Sequence, residues 1–302
     1  MNRIQQILSK AERDGTARRS SVGDEVPARS AGPAVASPTE TIYEPPRFER
    51  SVDTIIDAPA YEGDEPSATQ MALEASLDPI ALEASLDPIL VAALEPLSPA
   101  AEQYRALRAR ISQSEEHHPL RVIQVTSPGK ADGKSVTALN LALTMAQEFQ
   151  RRVLILDADL RSPNVHTLLG LPPGPGLADV LTGTAALEEA LVEIPEHHLT
   201  VLRAGRTHER PTEMLGSGPM RRLVDSLRTQ FDRIVVDSAP TTVADAGAIA
   251  PLSDGLLLVV RASATTTPAI SRAIATLASS KLLGLVFNES NAPAQEQYAA
   301  SA

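Results

Sequence analysis

Cysteine is absent from the 302 residues, which excludes structural disulfides and thiolate metal sites. The six histidines, at 117, 118, 166, 197, 198 and 208, are scattered. The pairs His117-His118 and His197-His198 lack metal-ligand spacing and are expected in solvated loops. No run of about 18 apolar residues occurs, so no membrane-spanning helix is expected. The opening MNRIQQILSK lacks the long apolar core of a signal peptide, and a cytoplasmic chain is expected. A basic face is missing as well, so nucleic acid is not an expected partner.

What charge there is lies unevenly. Residues 1–98 carry 17 acidic and 8 basic side chains, a net of −9 out of −11 for the whole chain. That stretch is rich in Pro, Ser, Ala and Glu, its apolar residues keep no period, and it reads as a largely disordered arm. Within it, residues 2–14 place Ile4, Ile7, Leu8 and Ala11 on one helical face, as a transient helix or a docking segment would. Residues 72–80 and 81–89 are identical copies of ALEASLDPI, each closed to helix by its proline. Slippage of a linker or avidity for one partner would each explain the doubling.

From Pro99 the pattern changes. AEQYRALRARI reads as a helix with Glu102, Arg105 and Arg108 recurring every third residue near one face. They form either a solvated face or a set of charges for a neighbouring chain. Strands are then predicted at 121–126, 152–157, 199–204, 233–237, 255–260 and 283–287. Helices are predicted between them, notably at 134–148, 212–230, 242–251 and 266–279. Continuous apolar strands alternating with helices predict an α/β fold: a doubly wound, mostly parallel sheet with helices on both faces.

Three of these strands end in phosphate-handling residues, at the edge where open α/β sheets bind ligands. After the first comes SPGKADGKS, residues 127–135. Gly129 and Gly133 let the loop fold around phosphate oxygens, and the following helix adds its positive dipole end. Lys134 supplies a charge for the β- and γ-phosphates and Ser135 a hydroxyl for magnesium; Asp132 and Val136 belong to the same nucleotide-binding stretch. Pro128 stands where the general phosphate-loop pattern has its first glycine, and Gly129 falls one residue late. The second strand ends in Asp157-Ala158-Asp159-Leu160-Arg161, with two carboxylates at i and i+2 able to face the phosphates. One of them can hold magnesium and the other can accept a proton from an attacking hydroxyl. The third strand ends at Asp237, placed for a magnesium-bound water. An aspartate that merely caps the next helix is the structural alternative.

Together these segments resemble the bacterial tyrosine autokinases of capsular and exopolysaccharide synthesis, within the deviant phosphate-loop group that includes Min- and Par-type ATPases. The resemblance runs from about Pro99 to Ser290. TSPGKADGKS is similar to that family's TSPGPGEGKS, with Lys130, Ala131 and Asp132 in place of Pro, Gly and Glu. LILDADLRSP resembles its second motif, and VVDSAP its third, with Ala239 at the first proline. GLADVLTG, PTEML at 211–215 and GLVFN ending at Asn288 also match. The resemblance implies Mg-ATP as substrate, Arg161 in the nucleotide site, and Asn288 against the adenine. It implies ring-like or dimeric self-association through Glu102, Arg105 and Arg108, and transfer to tyrosines on a neighbour's C-terminal tail. It also implies a separate membrane-spanning activator that recruits the chain to the inner face of the plasma membrane.

The expected organisation is an arm at 1–98, a kinase domain at 99–290 and a flexible tail at 291–302. One departure is the tail: in place of a tyrosine cluster it holds only Tyr298, with Tyr43 and Tyr61 of the arm as alternative acceptors. Two rival functions are therefore carried along: an ATP-binding regulatory subunit that phosphorylates nothing, and a Min- or Par-type positioning ATPase.

Overall fold

The computed structural model describes residues 86–115, 119–148, 151–206, 209–277 and 281–290. The expected helix at 2–14, the first nonapeptide copy, Tyr43, Tyr61 and Tyr298 lie outside these residues.

Among the described residues, β1 (Val122–Thr126), β2 (Val153–Ala158), β3 (Leu191–Ile194), β4 (Leu199–Leu202), β5 (Arg233–Ser238), β6 (Gly255–Arg261) and β7 (Leu282–Asn288) form one sheet. Its order is β3-β4-β2-β5-β1-β6-β7. All neighbours pair in parallel except β3 with β4. The central strands are Val, Ile and Leu runs because both of their faces are covered. Ile123, Val125, Ile155, Val235 and Val259 pack on one side. Leu154, Leu156, Ile234 and Val236 pack on the other.

The first face carries helices α1 (Val91–Leu94), α2 (Pro99–Ser114), α3 (Lys134–Ala146) and α4 (Val165–Leu168). The second carries α5 (Leu177–Thr182), α6 (Leu187–Ala190), α7 (Pro211–Leu215), α8 (Gly218–Gln230) and α9 (Asp245–Ile249). Helix α10 (Thr267–Thr276) packs through Ile270 and Ala273 on Leu256, Leu258 and Val260 of β6. Helix α3 is buried on nearly every side, from Ser135 to Ala146, as expected of a helix with so few polar residues. The doubly wound α/β expectation holds.

Four local expectations are corrected. Packed structure begins upstream of Pro99, because Leu86 and Leu90 enter the core and α3 holds this segment by hydrogen bonds. Asn140 accepts from the Ala92 amide (2.9 Å) and donates to the Ile89 carbonyl (3.1 Å). The single helix expected at 212–230 is two: α7 ends at Leu215 with Gly216 beyond it, and Ser217 caps α8 by accepting from the Met220 amide. The helix expected at 242–251 is the short α9, followed by a 3₁₀ turn at Ala250–Leu252. Strand β3 was not expected; it is a four-residue antiparallel edge strand, only partly buried along most of its length.

Candidate active site

The strand order makes β2, β5 and β1 neighbours, so their three carboxyl ends converge on one edge. Asp157 and Asp237 are register partners across β2 and β5, and Val125 of β1 partners Asp237 from the other side. Helix α3 begins at Lys134, directly after Gly133, whose backbone is left-handed at φ 93°. A Cβ at Gly133 would stand 2.0 Å from Asn288 Nδ2, so glycine is required by both conformation and space.

Lys134 is the hub of the site. Its Nζ lies 2.7 Å from Asp159 Oδ2 and 3.6 Å from Asp237 Oδ1, and it donates to Ser135 Oγ at 3.0 Å. Burial alone would depress its pKa, but Asp237 and then Asp159 outweigh burial and raise it, so it stays an ammonium. Asp157 is fully buried and already occupied: Oδ1 accepts from the Asp159 amide (3.2 Å) and Oδ2 from the Val165 amide (3.1 Å). It therefore shapes the β2–α4 turn that presents Asp159. Burial, then the charge of Asp237, pushes it up to about 8.

Asp237 is different. Both carboxylate oxygens are buried and without a hydrogen-bond partner. Burial raises it to about 6 although Lys134 opposes the shift. An orphaned buried carboxylate beside a serine hydroxyl and a lysine fits a hydrated cation. Among the described residues, no three His, Asp or Glu side chains gather to hold a metal alone. Phosphate oxygens and water would have to complete such a coordination shell.

The loop is braced from within. Asp132 accepts from the Gly129 amide (2.8 Å) and from Thr265 Oγ1 (2.9 Å), and its carbonyl accepts from Asn288 Nδ2 (3.2 Å). The Gly129 amide thus faces the Asp132 carboxylate, which braces the loop. Ala131 takes up a left-handed φ of 61° where the resembling family has glycine. Val136 packs against the core and gives its carbonyl to Asn140 Nδ2.

Other expected residues are engaged elsewhere. Arg161 forms a two-pronged pair with Asp245, Nε–Oδ2 2.7 Å and Nη2–Oδ1 3.2 Å, and Thr212 also donates to Asp245. This pair ties its guanidinium to the start of α9. On α2, Arg105 pairs with Glu102 (2.6 Å), and Arg108 donates to the Thr144 carbonyl (2.6 Å) and pairs with Glu148 (3.3 Å). The sequence reading did not single out Thr265 or Asn140, the partners that hold the loop and its helix. Nor did it single out Arg203, a buried arginine just beyond β4. A polar side chain inside a helix, or an arginine next to an apolar strand, was the only available signal.

A parallel sheet with a phosphate loop on its central strand and aspartates at two neighbouring strand ends defines a nucleotide-binding phosphate-loop protein. Comparison narrows the class. The tyrosine-protein kinase YwqD of Bacillus subtilis is 35% identical over 212 residues, 69% of this chain and 89% of that protein. The putative tyrosine-protein kinase CapB of Staphylococcus aureus is 31% identical over 169 residues, 56% and 74% of the two chains. Among solved structures, the kinase domain of the Escherichia coli tyrosine kinase ETK superposes with TM-score 0.64 at 25% identity, covering 69% of this chain and 84% of that one. The chimerical protein CapA2B2 gives 0.65 at 27%, covering 68% and 91%. No protein-family model matches. The chain belongs to the bacterial tyrosine-protein kinase family. Among the described residues no helix is long and apolar enough to cross a membrane.

Proposed function

We propose that this chain moves the γ-phosphoryl group of Mg-ATP onto tyrosine hydroxyls of polypeptides, its own included, within a system that makes or exports a polysaccharide. The observation that supports this most is Lys134 at the mouth of α3, 2.7 Å from Asp159. A triphosphate in the loop would draw the ammonium to its β- and γ-oxygens and release Asp159. That carboxylate is then available to accept the tyrosine proton as the new O–P bond forms and the bond to the β-phosphate breaks, leaving ADP. Ser135 through its hydroxyl and Asp237 through water would hold Mg²⁺, with Asp157 fixing the turn beside them. The ion would supply charge neutralisation on the phosphate oxygens. Gly133 and Asn288 would shape the nucleotide's entry to the loop.

The polysaccharide setting draws on a longer relative. The succinoglycan biosynthesis transport protein ExoP of Rhizobium meliloti is 32% identical over 202 residues, 65% of this chain but 26% of that protein. A separate membrane-spanning activator that recruits the chain to the inner face of the plasma membrane, and self-association through α2, belong to the same proposal.

Phosphotyrosine mapping by mass spectrometry tests it. The full chain would be incubated with Mg-ATP beside Lys134→Ala, with and without a candidate activator's cytoplasmic tail. Phosphate on Tyr298 that disappears in Lys134→Ala is the expected result. ATP binding with no phosphotyrosine, even with a confirmed activator, would favour a regulatory subunit that phosphorylates nothing, the reading that the lone tail tyrosine keeps open.

A further inference from the structure

A cavity of ≈ 660 Å³ opens beside β4, lined among others by His166, Gly174, Asp179, Thr184, Arg203 and Arg206. It does not lie over the phosphate loop. Strand β4 is two strands from β5 and three from β1, or about 10 and about 14 Å at ordinary strand spacing. Arg203 directly follows β4, whose last residue, Leu202, ends at the same sheet edge as Asp157 of β2. Cavity and phosphate loop thus share an edge.

The charges in the cavity do not cancel. Asp179 is fully engaged, accepting from the Gly176 amide (3.0 Å), the Arg206 amide (3.2 Å) and Arg206 Nε (2.6 Å). Arg206 is thereby paired. Arg203 is not: it is 8% exposed, its Nη1 donates to the Pro172 carbonyl at 2.7 Å, and its Nε has no partner. Among the described residues no carboxylate pairs with it, and burial lowers its pKa with no opposing charge. Gly174 leaves space for the guanidinium, since a Cβ there would stand 2.6 Å from Nη2. A clamp on Pro172 would account for Nη1 but not for a buried cation left without an anion.

The sequence holds a matching anion. Each of the three tyrosines outside the described helices has a glutamate within two residues: Glu44 beside Tyr43, Glu62 beside Tyr61 and Glu296 two before Tyr298. Two extended residues advance roughly 7 Å, and the glutamate side chain adds reach across the gap between phosphate loop and cavity.

We infer that this cavity is a subsite for an acidic residue flanking the acceptor tyrosine, with Arg203 receiving the glutamate carboxylate; the inference rests on the tyrosine-kinase reading above. It makes Arg203 a determinant of specificity, touching substrate away from the reacting atoms.

Anisotropy of two fluorescein-labelled peptides tests it on the full chain, with Mg²⁺ and a non-hydrolysable ATP analogue present. One peptide is QEQYAASA, residues 295–302, and the other carries E296Q. The glutamate peptide should bind about tenfold more tightly to the unmodified protein. That ratio should fall to about one in Arg203→Met and persist in part in Arg203→Lys, with the circular dichroism of both variants unchanged. Equal affinity for the two peptides, a ratio that survives Arg203→Met, or no binding of either peptide would overturn the subsite. If Arg203→Met unfolds, Arg203→Lys decides: loss of the cation's reach should at least halve the ratio, and an unchanged ratio overturns the assignment. Lys134-dependent phosphate transfer to the same peptide is read separately. Its absence would remove the kinase reading, while the anisotropy ratio would still decide the cavity.

Discussion

Asp157 of β2 and Asp237 of β5 stand side by side in register, both 0% exposed. Burial above all, with the charge of Asp237 adding to it at Asp157, holds them at about 8 and about 6 against about 3.9 for an unfolded aspartate. Between about pH 4 and about pH 8 the folded state therefore binds more protons than the unfolded one. Stability of the metal-free protein then falls as pH rises through that window. Melting temperatures at pH 5 and pH 8 should show the drop, Asp237→Asn should flatten it, and Mg-ATP should restore stability at pH 8. The same variant should lose about 10²-fold or more in phosphoryl transfer. An identical pH slope in Asp237→Asn would contradict the pairing.

Ala131 occupies a left-handed backbone position, φ 61°, at the tip of the phosphate loop. A Cβ there costs roughly 1–2 kcal/mol, and glycine gives back part of that through unfolded-chain entropy. Ala131→Gly should stabilise the protein by about 0.5–1 kcal/mol in urea denaturation. A destabilised variant would show that the loop's other bonds already absorb the strain.

Asn140 joins α3 to the segment before α2 by bonds to both Ala92 and Ile89. Asn140→Ala leaves the buried Ala92 amide without its acceptor and should cost roughly 2–3 kcal/mol. Hydrogen exchange at the Ala92 amide should quicken more than at amides of β1, whose ladder does not depend on this side chain.

Asp254 closes the opposite edge of the sheet. Its Oδ2 accepts from the Val122 amide and Arg228 Nη1, each at 2.8 Å, and its Oδ1 accepts from Arg228 Nη2 at 2.9 Å. Burial pushes its pKa up, but Arg228 and the Val122 amide overcome that and hold it below the usual carboxylate value. The depressed pKa means its contribution is present above about pH 4 and is lost as pH falls through the folded value. Asp254→Asn should therefore lower stability at pH 7 and narrow the gap to wild type in acid, read from denaturation midpoints at pH 7 and pH 3.

The parts of the fold that were legible in the sequence are those where burial dictates composition. The Val, Ile and Leu runs of β1, β2, β5 and β6 must be apolar on both faces, and they read as strands. Strand β3, LVEI, lies at an edge and is only partly covered, so its pattern carried little information. Leu86 in the second ALEASLDPI copy and Leu90 just after it are buried in the same core as α3, which the repeat's composition does not signal. In the site, Lys134, Asp159 and Asp237 were brought together as their spacing suggested. The partners of Asp132 and Arg161 were not legible in the sequence. Thr265 with Asp132, and Asp245 with Arg161, are distant in sequence and left no local trace.

Arg108 has one more implication. It reaches from α2 to the Thr144 carbonyl near the end of α3, the helix whose first residue is Lys134. Any contact between protomers that recruits Arg108 must first detach it from that helix. Assembly would then act at the tail of the helix whose head carries Lys134, and the two could be linked. Because linkage between two equilibria is reciprocal, nucleotide affinity would shift with protein concentration. Nucleotide titrations at a few dilutions would read that coupling, and Arg108→Ala should erase the concentration dependence.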